Sequence, residues 1–373
     1  MAPLPVKEFL VNNRVILVRF GGEMGIKSRQ TRSRMINLLK KNIKDTLCQF
    51  NGLKIHEFRE RVIIYSETDI DLDHPARLIA NSVSGVSSVS PALVVEASEG
   101  TIISAGLSKA LKVISSNTSF AVRARREGKH AFSSMDIARK LGAAILSSHI
   151  EGIKVDLENP DHEIFLDIRG SLAFVYSTIY KGIDGIPSHS QGTAIAVIKP
   201  NYNSIFMAWL MKKRGVRVIP VFFKTGKSTE EDFLKRAQSE FGEILTIVSI
   251  EAFLKSFKRS SSLCLLCQIH CEHVSQKIAS SHNITTILSP TTFNYKNESM
   301  SLESLKILDE NLHLSVIRPL QLGYLGQEIE IEDLNLEPCC SNQSKVSIQP
   351  FEDFNPKILE EILSVLPKVQ ELK

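Results

Sequence analysis

The chain has 373 residues, 43% hydrophobic and 23% charged, with a net charge of +4 at neutral pH. That is enough chain for two or three domains with cores of their own, and the composition excludes a fibrous, collagenous or disordered protein. No apolar run reaches the ~20 residues a membrane span needs, and MAPLPVKEFLVNN has neither the basic nor the apolar region of a secretory leader, so a cytoplasmic protein without a membrane partner is expected.

The charge is unevenly spread. Residues 14–61 carry twelve Lys or Arg against four acids, a local excess of eight, so the rest of the chain is slightly acidic. A basic front on a near-neutral body points to a polyanion bound by the N-terminal half.

In chain order, 14–20 (RVILVRF) reads as a strand and 28–50 as a basic amphipathic helix with Met35, Leu38, Leu39, Ile43 and Leu47 inward. Cys48, alone on that helix, is expected in the core. Strands follow at 61–65 and 90–96, with a short helix at 74–82. A helix at 101–116 precedes the strand 120–124, and a helix at 133–149 is capped by Ser133 or Ser134 ahead of Asp136. Strands at 154–157, 163–169 and 172–180 complete a basic α+β module.

Gly182-Ile183-Asp184-Gly185-Ile186-Pro187 and the small polar run after it mark a domain boundary. Beyond it strands (194–198, 216–223, 244–250, 285–288, 314–319) alternate with helices (204–214, 233–241, 266–280). That alternation predicts a doubly wound parallel sheet, which binds ligands at the carboxyl ends of its strands. An amphipathic helix is expected at 357–366. The fold class is therefore α/β and α+β multidomain.

Two groups of residues carry candidate chemistry. Arg123, Arg125 and Arg126 leave a strand, Lys129 lies in the next turn, and Arg139 and Lys140 ride the following helix. Planar guanidinium forks suit phosphate oxygens and fix register on a nucleic acid without reading its sequence. The second group is cysteine: five of six fall in the last third, as Cys264, Cys267 and Cys271, then Cys339 and Cys340. Cys264-x-x-Cys267 has ligand spacing, and thiolates suit an iron–sulfur cluster or, four together, tetrahedral zinc with His270 or His273 as further candidates. Buried, unreactive thiols are the plain alternative.

Three stretches together resemble the tRNA 4-thiouridine sulfurtransferase (ThiI-like) family. They are Arg19-Phe20-Gly21-Gly22-Glu23-Met24-Gly25-Ile26-Lys27, then Phe120 to Arg126 with Ser134-Met135-Asp136-Ile137-Ala138 and Val155 to Asp161, and last Cys264-x-x-Cys267 with Val316-Ile317-Arg318-Pro319-Leu320 and Glu337-Pro338-Cys339-Cys340. The resemblance implies a ferredoxin-like N-terminal domain (1–73), a THUMP RNA-binding domain (74–183) and a PP-loop-like α/β domain with the cysteine cluster (188–373). It implies shape-based tRNA binding, with Lys27, Arg29 and Arg32 joining Arg123, Arg125, Arg126, Lys129, Arg139 and Lys140. It also implies sulfur transfer, with Cys340 or Cys339 carrying the sulfur and Cys264, Cys267 and one of Cys339 or Cys340 holding a cluster. The sulfur donor and oligomeric state stay open, a homodimer through the THUMP half included.

One part departs from the family. A working PP-loop reads S-G-G-x-D-S, so that backbone N–H groups close on the pyrophosphate of ATP-magnesium at a helix N-terminus. Alignment puts Lys199-Pro200-Asn201-Tyr202-Asn203-Ser204 there, keeping only the serine. Pro200 has no N–H, and Asn203 replaces a carboxylate. Lys199, Asn203 and Ser204 are what remains to meet a phosphate, and the family's acid downstream is lost at Pro290-Thr291-Thr292. Two readings follow: a tRNA sulfurtransferase with an eroded ATP loop, or a non-catalytic RNA-binding paralogue whose α/β domain is a scaffold.

Overall fold

The structure, a computed structural model, describes residues 10–68, 70–226, 230–241, 246–257, 263–291, 302–310 and 312–322. Two compact units divide the chain at Pro187/Ser188.

The first unit is built on one nine-stranded sheet. Its elements are β1 (Arg14–Phe20), α1 (Gly22–Gly25), α2 (Arg29–Thr46), β2 (Leu53–Phe58), β3 (Arg61–Ser66), α3 (Asp73–Ser82) and β4 (Val86–Glu96). After them come α4 (Glu99–Val113), β5 (Ser119–Glu127), α5 (Ser134–Leu146), β6 (Lys154–Val155), β7 (His162–Arg169), β8 (Leu172–Tyr176) and β9 (Tyr180–Lys181). The strand order is β2-β3-β1-β4-β8-β7-β5-β6, with β9 also on β4. The ferredoxin-like and THUMP portions read as separate domains therefore share this sheet: β4 pairs with β1 along one edge and with β8 along the other.

Alternation along the strands sorts the cores. Ile16, Val18, Val62 and Ile64 pack under α2 and α3, burying Met35, Ile36, Leu39 and Ile43. Ile164, Leu166 and Val175 pack under α4 and α5. Val15, Leu17, Ile63, Phe174 and Tyr176 point to the opposite face. Strand β2 lacks a clean hydrophobic alternation and escapes the sequence reading, as does α1. The expected strand 172–180 breaks at Tyr176 and resumes as β9. Cys48, expected in the core, is exposed. The α2 helix ends at Thr46 with Leu47 as its cap, so Cys48 has left the helical register that would have buried it.

The second unit holds β10 (Thr193–Ile198), α6 (Tyr202–Lys213), β11 (Arg217–Lys224), α7 (Glu230–Phe241), β12 (Thr246–Ser249), α8 (Glu251–Ser256), α9 (Leu263–Ser281), β13 (Thr286–Leu288), α10 (Leu302–Asp309) and β14 (Ser315–Ile317). The sheet order β12-β11-β10-β13-β14 is parallel throughout. One side of it packs on α8 and α9 around Val197, Phe223 and Ile287, the other on α6 and α7 around Ala196, Phe222 and Leu288. The chain winds outward from β10 to β12 and then returns to β13, so the topological switch point lies between β10 and β13. Helices α8 and α10 go unread in the sequence, and the expected helix 357–366 lies outside the described residues.

Candidate RNA interface and nucleotide crevice

The arginine-rich end of β5 forms one wall of a cleft of about 680 Å³, lined among others by Arg19, Arg123, Arg125, Met135, Phe165 and Tyr176. Phe165 and Tyr176 stack with centroids 5.2 Å apart, and the Arg19 guanidinium lies 4.7 Å from the centre of the Tyr176 ring. Arg19 donates to Ser88 and Ser90 at 3.3 and 3.1 Å, which fixes it over the ring. Burial pushes the Tyr176 hydroxyl pKa up, while the nearby Arg19 charge opposes that shift. Met135 is 68% exposed on the rim. Arg19, Phe165, Tyr176 and Met135 were missed as site residues. The signal available was a cation in β1 and aromatics in β7 and β8 that only the sheet order brings together.

The predicted RNA contacts divide into two groups. Lys27, Arg29, Arg125, Arg126, Lys129, Arg139 and Lys140 are solvent-exposed. Arg126 also donates to the carbonyl of Gly128 at 3.1 Å, and Lys140 pairs with Glu99 at 2.6 Å. Arg123 and Arg32 are committed within the fold. Arg123 Nε donates to Glu163 at 2.7 Å and its terminal nitrogen to the Leu157 carbonyl at 2.7 Å. Arg32 pairs with Glu60 at 3.0 Å and donates to the carbonyl of Gly25 at 2.6 Å, pinning the turn after α1. These two position the basic surface more than they present charge from it.

In the second unit the aligned loop lies at the carboxyl end of β10, at the switch point. Three of its backbone donors are already used. Lys199 N–H donates to Ser204 Oγ at 3.1 Å, Asn201 N–H to the Lys199 carbonyl at 2.7 Å, and Ser204 N–H to Asn201 Oδ1 at 3.0 Å as an N-cap of α6. Ser204 Oγ lies 2.7 and 2.8 Å from the carbonyls of Lys199 and Asn201. Asn203 stands half-buried in the first turn.

The lysine is occupied as well. Lys199 is 6% exposed and its ammonium donates to Gln268 Oε1. Gln268 Nε2 donates to Glu272 at 2.8 Å and to Ser289 at 3.0 Å, and Ser289 bonds Thr291 at 2.7 Å. Glu272, fully buried, accepts from Arg318 at 3.0 Å, and Arg318 reaches Asp309 at 2.8 Å. This chain of side chains runs past the carboxyl ends of β10, β13 and β14, where an α/β sheet of this kind receives its ligand. These residues do not fit the pyrophosphate cradle of a nucleotide triphosphate: Pro200 has no N–H, three others bond within the loop, and Lys199 bonds Gln268.

Of the cysteines, Cys267 and Cys271 are 1% and 0% exposed on α9 and pack in the apolar cluster with Ile195, Phe253, Leu266 and Ile287. Among the described residues no group of three His, Cys, Asp or Glu could hold a metal. Cys264 lies in the first turn of α9, and Cys339 and Cys340 lie outside the described residues. His270, 3% exposed, stacks on Phe253 with centroids 4.2 Å apart. Burial holds its pKa down at about 4, so it is a neutral core side chain at physiological pH.

A basic, aromatic-lined cleft on a mixed sheet is joined in sequence to a doubly wound parallel domain, and the same combination is found in known proteins. Models of the ThiI ferredoxin-like domain, the THUMP domain and the Thiamine biosynthesis protein (ThiI) match residues 15–90, 109–178 and 189–332. The chain belongs to the ThiI, or tRNA sulfurtransferase, family. It is 34% identical to a probable tRNA sulfurtransferase of Methanosarcina mazei over 271 residues, 68% of this chain and 66% of that protein. It is 27% identical to one of Methanocaldococcus jannaschii, covering 84% and 86%, and 26% identical to one of Thermoanaerobacter sp., covering 96% and 93%. Among solved structures, PH1313 from Pyrococcus horikoshii matches with a TM-score of 0.62 at 28% identity, over 84% of this chain and 96% of that one. A 4-thiouridine synthetase–RNA complex with bound ATP shares the fold, with a TM-score of 0.67 at 21% identity over 83% and 82%. Among the described residues no helix is long and apolar enough to cross a membrane.

Proposed function

We propose that this protein binds tRNA through its first unit and acts in tRNA thiolation of the 4-thiouridine type, with Cys339 or Cys340 carrying the sulfur. The observation that carries the RNA part is the exposed set Arg125, Arg126, Lys129 and Arg139, of which Arg125 lines the cleft together with Phe165 and Tyr176. Cations supply the contact with phosphates, and the half-buried Phe165 gives the cleft an aromatic wall. The names of the relatives and the RNA complex of the fold neighbour support tRNA as the RNA. Cys267 packs in an apolar cluster, where a thiol stays protonated and unreactive unless a metal takes it. The family resemblance puts sulfur chemistry on the adjacent pair. A cluster or zinc held by Cys264, Cys267 and that pair is tested by iron, zinc and sulfide analysis of anaerobically purified protein.

A second reading rests on the inward-turned loop and the Lys199–Gln268–Glu272–Arg318 chain: the α/β unit is a scaffold, and the protein binds tRNA without modifying it. Mass spectrometry of tRNA nucleosides from a strain lacking the gene separates the two. Loss of 4-thiouridine, restored by the wild-type gene but not by a Cys339→Ser/Cys340→Ser variant, supports thiolation. Unchanged nucleosides with tRNA binding intact support the scaffold.

A further inference from the structure

A second groove of about 380 Å³ lies on the other face of the shared sheet from Tyr176. Its floor is Pro91, Leu93 and Val175, and its walls are α4 and the start of α3. It opens where β4 loses its neighbour: β4 pairs with β9 at Ser88–Val89 and with β8 from Leu93 to Glu96, leaving a gap between. Pro91 sits in that gap, where its missing N–H costs no ladder bond.

The groove is lined by Arg14 from β1 and by Lys109 and Lys112 from α4, with the hydroxyls of Ser108 and Thr178. Asp73 is the one acid lining it among the described residues, and both of its carboxylate oxygens are taken. Tyr180 donates to one at 2.6 Å and Arg77 to the other at 3.0 Å. Three cations line a concave surface against this single carboxylate, which leaves a local excess of positive charge.

We propose that this groove binds a phosphate group, held by Arg14, Lys109 and Lys112. A doubly charged oxyanion neutralises most of the excess and can accept from the guanidinium, the two ammonium groups and the hydroxyls at once. Burial and the charges of Arg14 and Lys112 push the Lys109 pKa down, and Asp73 opposes that shift only in part, as expected where three cations share one carboxylate. The phosphate comes either from an RNA backbone that reaches this face or from a free pyrophosphate or phosphate ion. The RNA source rests on the tRNA reading above; the free-ion source does not.

The test titrates the full-length protein with sodium pyrophosphate by calorimetry, and with tRNA over a salt series. Wild type is compared with Lys109→Met/Lys112→Met and, separately, Arg14→Met, each checked for native circular dichroism. If the RNA backbone is the ligand, both variants lose about tenfold or more in tRNA affinity and the salt slope falls by about one per cation removed. If the ligand is the free ion, wild type binds pyrophosphate, the variants do not, and tRNA binding is unchanged. Wild-type behaviour of both variants toward both ligands overturns the proposal. An Arg125→Ala/Arg126→Ala/Arg139→Ala control that loses tRNA in the same series shows the RNA reading standing while the groove fails.

Discussion

The ammonium of Lys199, at the carboxyl end of the central strand β10, is spent on the side-chain carbonyl of Gln268 in the buried helix α9. A lysine at that place would otherwise be the natural partner of a phosphate. Here it anchors a relay of buried polar groups that closes on Glu272, Arg318 and Asp309. At this end of the sheet the described polar side chains bond one another.

The first prediction concerns ATP. A pyrophosphate cradle draws about 1.5–3 kcal/mol from each N–H that bonds a charged oxygen. Pro200 has no N–H, and those of Lys199, Asn201 and Ser204 are bonded within the loop. Forfeiting two such bonds weakens affinity about 100-fold or more. Calorimetry with magnesium-ATP should show no binding tighter than millimolar; a micromolar dissociation constant would mean the loop rearranges and the crevice is a nucleotide site.

The second concerns the relay itself. Glu272 is fully buried and Arg318 is 7% exposed at the side chain. Removing one partner leaves the other charge buried and unpaired, at a cost of about 3–5 kcal/mol. Arg318→Ala should lower the urea midpoint accordingly, and Glu272→Gln/Arg318→Met should recover part of the loss. A midpoint within experimental error of wild type for Arg318→Ala would show the pair contributes nothing.

The third concerns Gly21, the motif glycine after β1. A Cβ there would meet the Asp184 carboxylate at 2.4 Å and the Gly185 carbonyl at 2.8 Å. The backbone carbonyl cannot swing away as a side chain can, so Gly21→Ala should destabilise the first unit by about 1–3 kcal/mol. Gly22, with nothing within 4 Å, is the control: Gly22→Ala should leave the thermal midpoint nearly unchanged. Equal midpoints for the two variants would contradict the packing seen here.

The fourth concerns pH. His270 in the folded chain has a pKa of about 4, against 6.5 for the free side chain, because burial disfavours its charged form. The unfolded chain therefore takes up a proton that the folded chain refuses. Stability from this group is complete above about pH 6.5 and drains away as pH falls toward 4, by at most about 3 kcal/mol. Urea unfolding at pH 7 and at pH 4.5 should differ by more in wild type than in His270→Phe. Parallel losses in the two proteins would remove His270 as the cause.

The outline of the fold was legible because its elements are strongly periodic: β1, α2, β5, α5 and the β10–β11 alternation all fall close to where hydrophobic spacing puts them. What escaped was what depends on partners distant in sequence. Strand β2 exists because β3 pairs with it, and one shared sheet exists because β4 has two neighbours; neither fact is written locally. The arginines after β5 were legible as a basic edge, yet Arg123 and Arg32 turned out to be bound at home, since their acceptors lie 40 and 28 residues away. Gln268 and Glu272 were hidden for the opposite reason. Two polar residues four apart in an apolar helix are a signal, but the eye goes to the cysteines around them.

The central claim is that tRNA is held by the first unit while the crevice of the second takes no part through ATP. Its most direct test is the tRNA affinity of the full-length protein over a salt series, with and without magnesium-ATP, for wild type and Arg125→Ala/Arg126→Ala/Arg139→Ala. The account predicts tRNA binding that weakens steeply with salt, a variant about tenfold or more weaker with a shallower slope, and curves that superimpose with and without ATP. A variant that binds tRNA as wild type does, or a wild-type affinity that rises on adding ATP, would contradict it.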